Sequence, residues 1–228
     1  MCMCGRYSLE SADTILAELG LPGALADWRA RFNVAPGTAV PCVLEDSHGR
    51  SVRHLRWGLV PGWAKDPSIG YKMINARAET VAEKPAFREA LVSRRCLLPA
   101  TGFYEWQGQG KNKRPHYLHQ KNGNCFAFAG LWERWTDREQ ELFTVTIITT
   151  ASGPVVAPIH DRMPVIVAAH HYADWLSPAL TDLAAIASIV GEPDYRDVEA
   201  YEVSTHVNSV RHDGPELIER GPTQQKLF

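Results

Sequence analysis

The chain has 228 residues, 45% of them hydrophobic and 22% charged, a balance that excludes general disorder and allows a buried core without metal or disulfide staples. Its 24 basic and 26 acidic side chains nearly cancel, so no global positive charge marks a nucleic-acid binder. The longest strongly apolar run, Met163 to Ala169, is far short of the roughly 20 residues that span a bilayer, and no apolar h-region precedes Arg6, so neither a membrane anchor nor a secretory signal is expected.

In chain order, Ser11 to Leu19 reads as a helix with a Ser cap and apolar Ile15, Leu16 and Leu19. Val52 to Leu59 reads as a strand. Ala78 to Val92 carries apolar residues near i, i+3/4 spacing and predicts a second helix, with Pro85 breaking or turning it. Leu97 to Trp106 and Cys125 to Ala129 are strand-like. Leu142 to Thr150 alternates apolar with β-branched polar residues, the pattern of a half-buried strand. Pro164 to Val167 and Ala200 to Val203 are shorter strands, and Thr181 with Asp182 opens a third helix through Val190. The 17 glycines and 15 prolines are spread along the chain rather than gathered in a linker. Strands outnumber helices without regular βαβ alternation. The expected fold is α+β: one domain over 1–228, a mostly antiparallel barrel-like sheet with a few flanking helices.

Charge is uneven locally. Arg50, Arg53, Arg56, Lys65, Lys72 and Arg77 face a single acid, Asp66, with Trp57, Trp63 and Tyr71 among them. Cations beside rings suit single-stranded nucleic acid, where phosphates are tracked and bases stacked; a solvated strand face with core tryptophans gives the same pattern. From Asp182 to Glu202 six acids face only Arg196, which reads as solvated surface.

Five cysteines, Cys2, Cys4, Cys42, Cys96 and Cys125, are odd in number and outside CxxC spacing, as in a reduced cytoplasmic protein. Met-Cys occurs twice at the N-terminus. If the chain starts at Met3 or is trimmed there, Cys4 carries a free α-amine beside its thiol. Such an aminothiol forms an imine with an aldehyde, and the thiolate then closes a thiazolidine; a cysteine near a terminus is otherwise incidental. Glu105 stands among aromatics in Phe103-Tyr104-Glu105-Trp106, where a carboxyl tends to a raised pKa suited to general acid work, or pairs with an arginine at a strand end. His160, directly before a strand, is a proton shuttle or a loop histidine. Asn75, ahead of the predicted helix, is a functional amide or a cap. Ser204, Thr205 and His206 suit polar chemistry or a turn. His116, His119, His170 and His171 do not make metal spacing, so no metal and no cofactor are expected.

Six segments then appear in a fixed order: Met3-Cys4-Gly5-Arg6-Tyr7, Phe32-Asn33-Val34-Ala35-Pro36-Gly37-Thr38, Trp57-Gly58-Leu59-Val60-Pro61-Gly62-Trp63, Ile74-Asn75-Ala76-Arg77-Ala78-Glu79, Gly102-Phe103-Tyr104-Glu105-Trp106 and Ile159-His160-Asp161-Arg162-Met163-Pro164. Together they resemble the SOS response-associated peptidase (SRAP) family, the abasic-site processing proteins, from Met3 to about Glu216, with a short tail over 217–228. The resemblance implies a SRAP domain that binds single-stranded DNA and captures abasic sites as a covalent thiazolidine crosslink, with lyase and self-processing peptidase activity. It assigns the nucleophile to Cys4, the orienting amide to Asn75 and proton handling to Glu105 and His160. Arg77 matches a phosphate-side arginine, with Arg6 beside it, and Arg162 and Trp63 complete the expected DNA contacts. A monomer is expected, cytoplasmic and drawn to the nucleoid on damage. Met1-Cys2 depart from the family pattern, which begins at the initiator methionine; the start lies two codons later or the protein trims itself. The rival readings are a cysteine peptidase or thiol hydrolase using Cys4, His160 and Glu105, and a noncatalytic single-stranded DNA binding module.

Overall fold

The structure, a computed structural model, describes residues 4–137, 140–195 and 197–221, apart from the Lys111 side chain. Met1 to Met3, Arg196 and the tail from Pro222 lie outside the described residues. The order is β1 (Tyr7–Leu9), α1 (Asp13–Glu18), β2 (Arg31–Val34), β3 (Ala39–Asp46), β4 (Gly49–Trp57), β5 (Asn75–Arg77), α2 (Arg88–Ser93), β6 (Arg95–Ala100) and β7 (Gly102–Gln107). There follow β8 (Arg114–Gln120), β9 (Phe126–Thr136), β10 (Glu141–Ala151), β11 (Arg162–Pro164), β12 (Ile166–Val167), α3 (Tyr172–Leu176), α4 (Leu183–Gly191) and β13 (Val198–Glu202).

Five strands close on themselves in the order β10-β4-β3-β6-β9 and back to β10. Closure removes the free edges that an open sheet would present. Only the β4–β10 pairing in this ring is parallel. β5 docks parallel on β10, while β11 and β12 add to β10 and β9. A second sheet runs β13-β8-β7-β1-β2. The two share a core in which Tyr7 packs on Trp57 and Phe128, and Phe103 on Phe126 and Phe128, with centroids 5.4 to 6.5 Å apart. The α+β, barrel-like expectation holds.

Several element boundaries differ from expectation, each for a local reason. The single strand expected over Leu97 to Trp106 is two, because the chain changes sheets at Thr101. Ala100 still pairs with Phe126 of the barrel, whereas Gly102 pairs with His119 and Ser8 of the second sheet. A Cβ at Gly102 would lie 2.2 Å from the Tyr117 ring, so only glycine turns this corner. Pro164 to Val167 likewise divides, β11 going to β10 and β12 to β9. The helix expected over Ala78 to Val92 shrinks to Arg88–Ser93. Pro85 lacks an N–H and disfavours helical backbone at Lys84. Upstream, Asn75 is a strand residue rather than a cap. Ala12, not Ser11, occupies the N-cap of α1, and Asp182 caps α4 as expected, accepting the Ala184 N–H at 2.7 Å.

The loop bearing Trp63 and Tyr71 is held where two backbones nearly touch. Gly58 has φ +128°, and a Cβ there would meet the Gly70 carbonyl oxygen at 2.7 Å. Gly58→Ala is therefore expected to cost about 3 kcal/mol, combining strain and a backbone clash. Thermal melting checks this; an unchanged melting temperature would show that the two loops separate without cost.

Candidate active site

The register of β1 against β7 builds the centre of the site. Tyr7 pairs with Phe103 and Ser8 with Gly102, and the Tyr104 N–H donates to the Arg6 carbonyl at 3.0 Å. Antiparallel pairing continued outward brings residues 4 and 5 beside residue 105. The Cys4 backbone N–H accordingly donates to Glu105 Oε1 at 2.8 Å, although 101 positions separate them in sequence. Cys4 is fully buried and its φ is +39°. That left-handed value is uncommon for a non-glycine residue and costs about 1–3 kcal/mol, a strain that clusters at functional sites.

Glu105 is 2% exposed. Burial pushes its carboxyl up to about 8; the Cys4 N–H bond opposes this, the Asp161 charge adds to it, and Lys113 and the Trp106 N–H oppose it further. Near neutral pH this acid holds its proton, so it can give one to a leaving oxygen or nitrogen.

His160 ends a turn segment tied to the same strand, since Gln107 Nε2 donates to the Pro158 carbonyl at 2.9 Å. Its Nδ1 accepts the Arg162 N–H at 3.1 Å. Asp161 Oδ1 also lies 3.1 Å from Nδ1, but one nitrogen cannot both accept and donate there. The Arg162 N–H is fixed by backbone, while the Asp161 side chain is 86% exposed and free to turn to solvent. Nδ1 is therefore assigned as the acceptor and the proton to Nε2, which makes Nε2–H a donor.

The second cluster lies where β5 and β11 meet β10. Asn75 pairs with Ile147 and Arg77 with Thr149. Because side chains alternate, Asn75 and Arg77 share a face while Ala76 enters the core. Arg77 is exposed. Arg162 is committed differently: it makes a two-point ion pair with Glu79, one arm at 2.9 Å, and donates to the Thr149 carbonyl at 2.7 Å. The Arg162 hydrogen bond holds the Glu79 carboxyl below its usual range.

Arg6 turns toward Asn33 and residues 207–208. It donates to Asn33 Oδ1 at 2.9 Å and to the Val207 carbonyl at 2.7 Å. Buried Asn33 turns its amide toward the carbonyls of Val207, Ser209 and His212 at 3.2, 3.1 and 2.8 Å. Trp106, next to Glu105, donates to Asn208 Oδ1 at 2.7 Å. The basic stretch itself divides. Arg50 and Arg53 pair with Glu45 and Asp46 of the β3–β4 hairpin, and Trp57 is core. Trp63 and Tyr71 are each 61% exposed, with Arg56 over the Tyr71 ring at 5.1 Å.

The structure thus joins Cys4 directly to Glu105, ties the His160 segment to β7, and places Asn75, Arg77 and Arg162 around β10. Asn33, Asn208, Trp106, Thr149 and Glu79 were not singled out for a role from sequence. Asn33 carried a faint signal, a polar side chain inside the apolar stretch Phe32 to Ala35.

The sequence profile of the SOS response associated peptidase (SRAP) family matches residues 3–210. The chain is 46% identical over 222 residues to the abasic site processing protein YoqW of Bacillus subtilis (strain 168), across 95% of this chain and 99% of that one. It is 30% identical over 224 residues to the abasic site processing protein HMCES of Gallus gallus, across 84% of this chain and 66% of that one. A crystal structure of a protein from Bacteroides thetaiotaomicron matches with a TM-score of 0.84 at 28% identity, covering 96% of this chain and 100% of that chain. Family profile, relatives and fold agree: the chain belongs to the SOS response associated peptidase (SRAP) family.

Proposed function

We propose that this protein processes abasic sites in single-stranded DNA by forming a covalent crosslink through Cys4. The observation that carries the reading is the Cys4 nitrogen held 2.8 Å from a buried carboxyl that keeps its proton near neutral pH. The names of its relatives, abasic site processing proteins, supply the substrate class.

The chemistry follows from the groups. An abasic sugar opens to an aldehyde as its anomeric hydroxyl gives up a proton to water and its ring oxygen takes one from water. His160 Nε2–H hydrogen-bonds that oxygen and eases the step. The Cys4 ammonium passes a proton to Glu105, the freed amine adds to the aldehyde carbon, and Glu105 returns that proton to the departing hydroxyl as water leaves and the imine forms. The Cys4 thiolate then adds to the same carbon, giving a five-membered thiazolidine with one water released overall. Asn75 and Arg77 hold the sugar and phosphates from β5, while Arg6 and Arg162 act largely through the loops that they pin. Lyase activity arises at the imine, which withdraws electrons from the sugar.

The same geometry favours self-processing at the Met3–Cys4 bond. While that bond is intact the Cys4 nitrogen is an amide, whose lone pair is delocalised and cannot form an imine. Hydrolysis adds water across the bond, the hydroxyl going to the Met3 carbonyl carbon and a proton to nitrogen. Protonated Glu105 stands where that nitrogen leaves, and the strained backbone at Cys4 raises the energy of the bound bond.

The test is incubation of the purified chain with an oligonucleotide bearing one abasic site. A stoichiometric adduct that survives heat and denaturant is expected, and Cys4→Ser is expected to abolish it; a heat-stable adduct from Cys4→Ser would overturn the assignment. DNA binding carries its own expectation. Affinity should fall steeply with salt, and Arg77→Ala should shallow the logarithmic slope by about one unit. A salt-independent affinity would remove DNA from the reading.

A further inference from the structure

A cavity of about 290 Å3 opens beside Trp63, away from the Cys4–Glu105 contact. One wall is Pro61 and Trp63, on the loop that leads to β5; the other is Pro85 and Ala86, on the segment that leaves it. In sequence the strand between them is β5, which carries Asn75 and Arg77, so the two segments that wall the cavity flank the strand assigned to DNA. The Trp63 loop is tied on both sides: the Trp135 Nε1–H donates to the Ala64 carbonyl at 2.7 Å, and the Val60 N–H to Thr144 Oγ1 at 2.9 Å.

The polar rim is one guanidinium between two carboxylates. Arg94 reaches Glu133 at 2.8 Å and Glu89 at 3.3 Å. The two contacts differ in kind. The Glu133 side chain is 15% exposed, whereas that of Glu89 is 79% exposed and held only at long range. Arg94 also donates to Ser93 Oγ at 3.3 Å, and its Nε is buried without a hydrogen-bond partner among the described residues, so this guanidinium still has fewer acceptors than its five N–H groups can serve.

We propose that this cavity receives a guanine base of the bound strand, stacked on Trp63. The inference rests on the abasic-DNA reading and adds a base preference to it. Guanine alone among the four bases presents two adjacent N–H donors, N1 and N2, which a carboxylate accepts as a pair. Its O6 and N7 are acceptors for an arginine. Glu89 supplies the carboxylate on release from its long contact, and Arg94, still anchored by Glu133, supplies the donors. Thymine has one N–H between acceptors, and adenine and cytosine have no such pair of N–H groups. The flat apolar walls suit a ring.

The test uses oligothymidylate strands with a stable tetrahydrofuran lesion and a single dG moved through each flanking position, with affinity read by fluorescence anisotropy. At one fixed offset from the lesion, dG is expected to bind about tenfold more tightly than dT. The ratio should fall toward one in Glu89→Ala, whose side chain is 79% exposed, and in Arg94→Met, which keeps the apolar stem. A parallel arm measures crosslinking to a true abasic site in an all-dT strand, and another measures binding of guanosine monophosphate alone. A ratio near one at every offset, with normal crosslinking, overturns the guanine site and leaves the abasic reading standing. A preference that survives both variants overturns it also. Monophosphate binding that both variants abolish, without any dG preference in strands, assigns the cavity to a free nucleotide and overturns the strand assignment. Absence of both DNA binding and crosslinking overturns the two together.

Discussion

A chain whose first residue is Cys4 is expected to form the heat-stable adduct, and a chain with a permanently blocked extension before Cys4 is expected to form none. Both carry the same thiol, so the comparison isolates the amine. In the blocked chain the Cys4 nitrogen is an amide, its lone pair delocalised into the carbonyl. It still donates to Glu105, as seen at 2.8 Å, but cannot add to an aldehyde. Cys4→Ser with a free terminus keeps the amine and should give only a reversible imine, trapped by borohydride and lost on heating. Cys2→Ser should change nothing once the residues before Cys4 have been removed. Intact mass shows which residue is first in each sample. Equal crosslinking by the blocked chain would defeat the aminothiol mechanism and favour the thiol-hydrolase reading.

The second large effect belongs to Glu105. Glu105→Gln keeps the size and the acceptor for the Cys4 N–H but cannot pass a proton, so single-turnover crosslinking should slow by about a hundredfold or more, with DNA affinity nearly intact. The substitution should also change stability in a pH-dependent way. With Cys4 nitrogen as a peptide N–H, the folded carboxyl titrates at about 8, against an ordinary 4.5. Between those values the unfolded chain releases a proton that the folded chain keeps. Wild-type stability therefore falls as pH rises from 4.5 to 8, by up to about 5 kcal/mol at 1.36 kcal/mol per unit. The glutamine variant lacks this term and should be the more stable protein above pH 8. Urea unfolding at pH 5, 7 and 9 measures it, and a flat wild-type profile would mean that the carboxyl is not held neutral. An ammonium at Cys4 would favour the carboxylate, so trimming should reduce the slope.

The long strand over residues 142–150 was legible from its β-branched alternation, and the barrel-like α+β class followed from many such stretches. The strand is not half-buried as expected, because β5, β9, β4 and β11 enclose it and Thr144, Thr146 and Thr149 are 0% exposed. Tyr7–Leu9 and Asn75–Arg77 were not. Three residues carry no period, and both strands exist because a neighbour offers a ladder: β7 for the first, β10 for the second. Residue types suggested Cys4 and Glu105, and family resemblance gathered them, but their contact follows from a β1–β7 register that no local window contains. The same holds for Asn33, whose acceptors lie 174 to 179 positions away. Separating Trp57 from Trp63 needed the fold too, since one closes the barrel core and the other tips a Pro-Gly turn.

The grip of Arg6 on Val207 spans 201 positions, and it bears on the timing of synthesis. Arg6 leaves the ribosome 201 positions ahead of the residue that seats it. Closing so long a loop also carries a high entropic cost before any contact rewards it. Arg6, beside the strand that aims Cys4 at Glu105, is therefore locked down only once the segment around Val207 has been made. In a growing polypeptide β1 and β7 can meet early, but the clasp that fixes the residue two positions from the thiol is a late event.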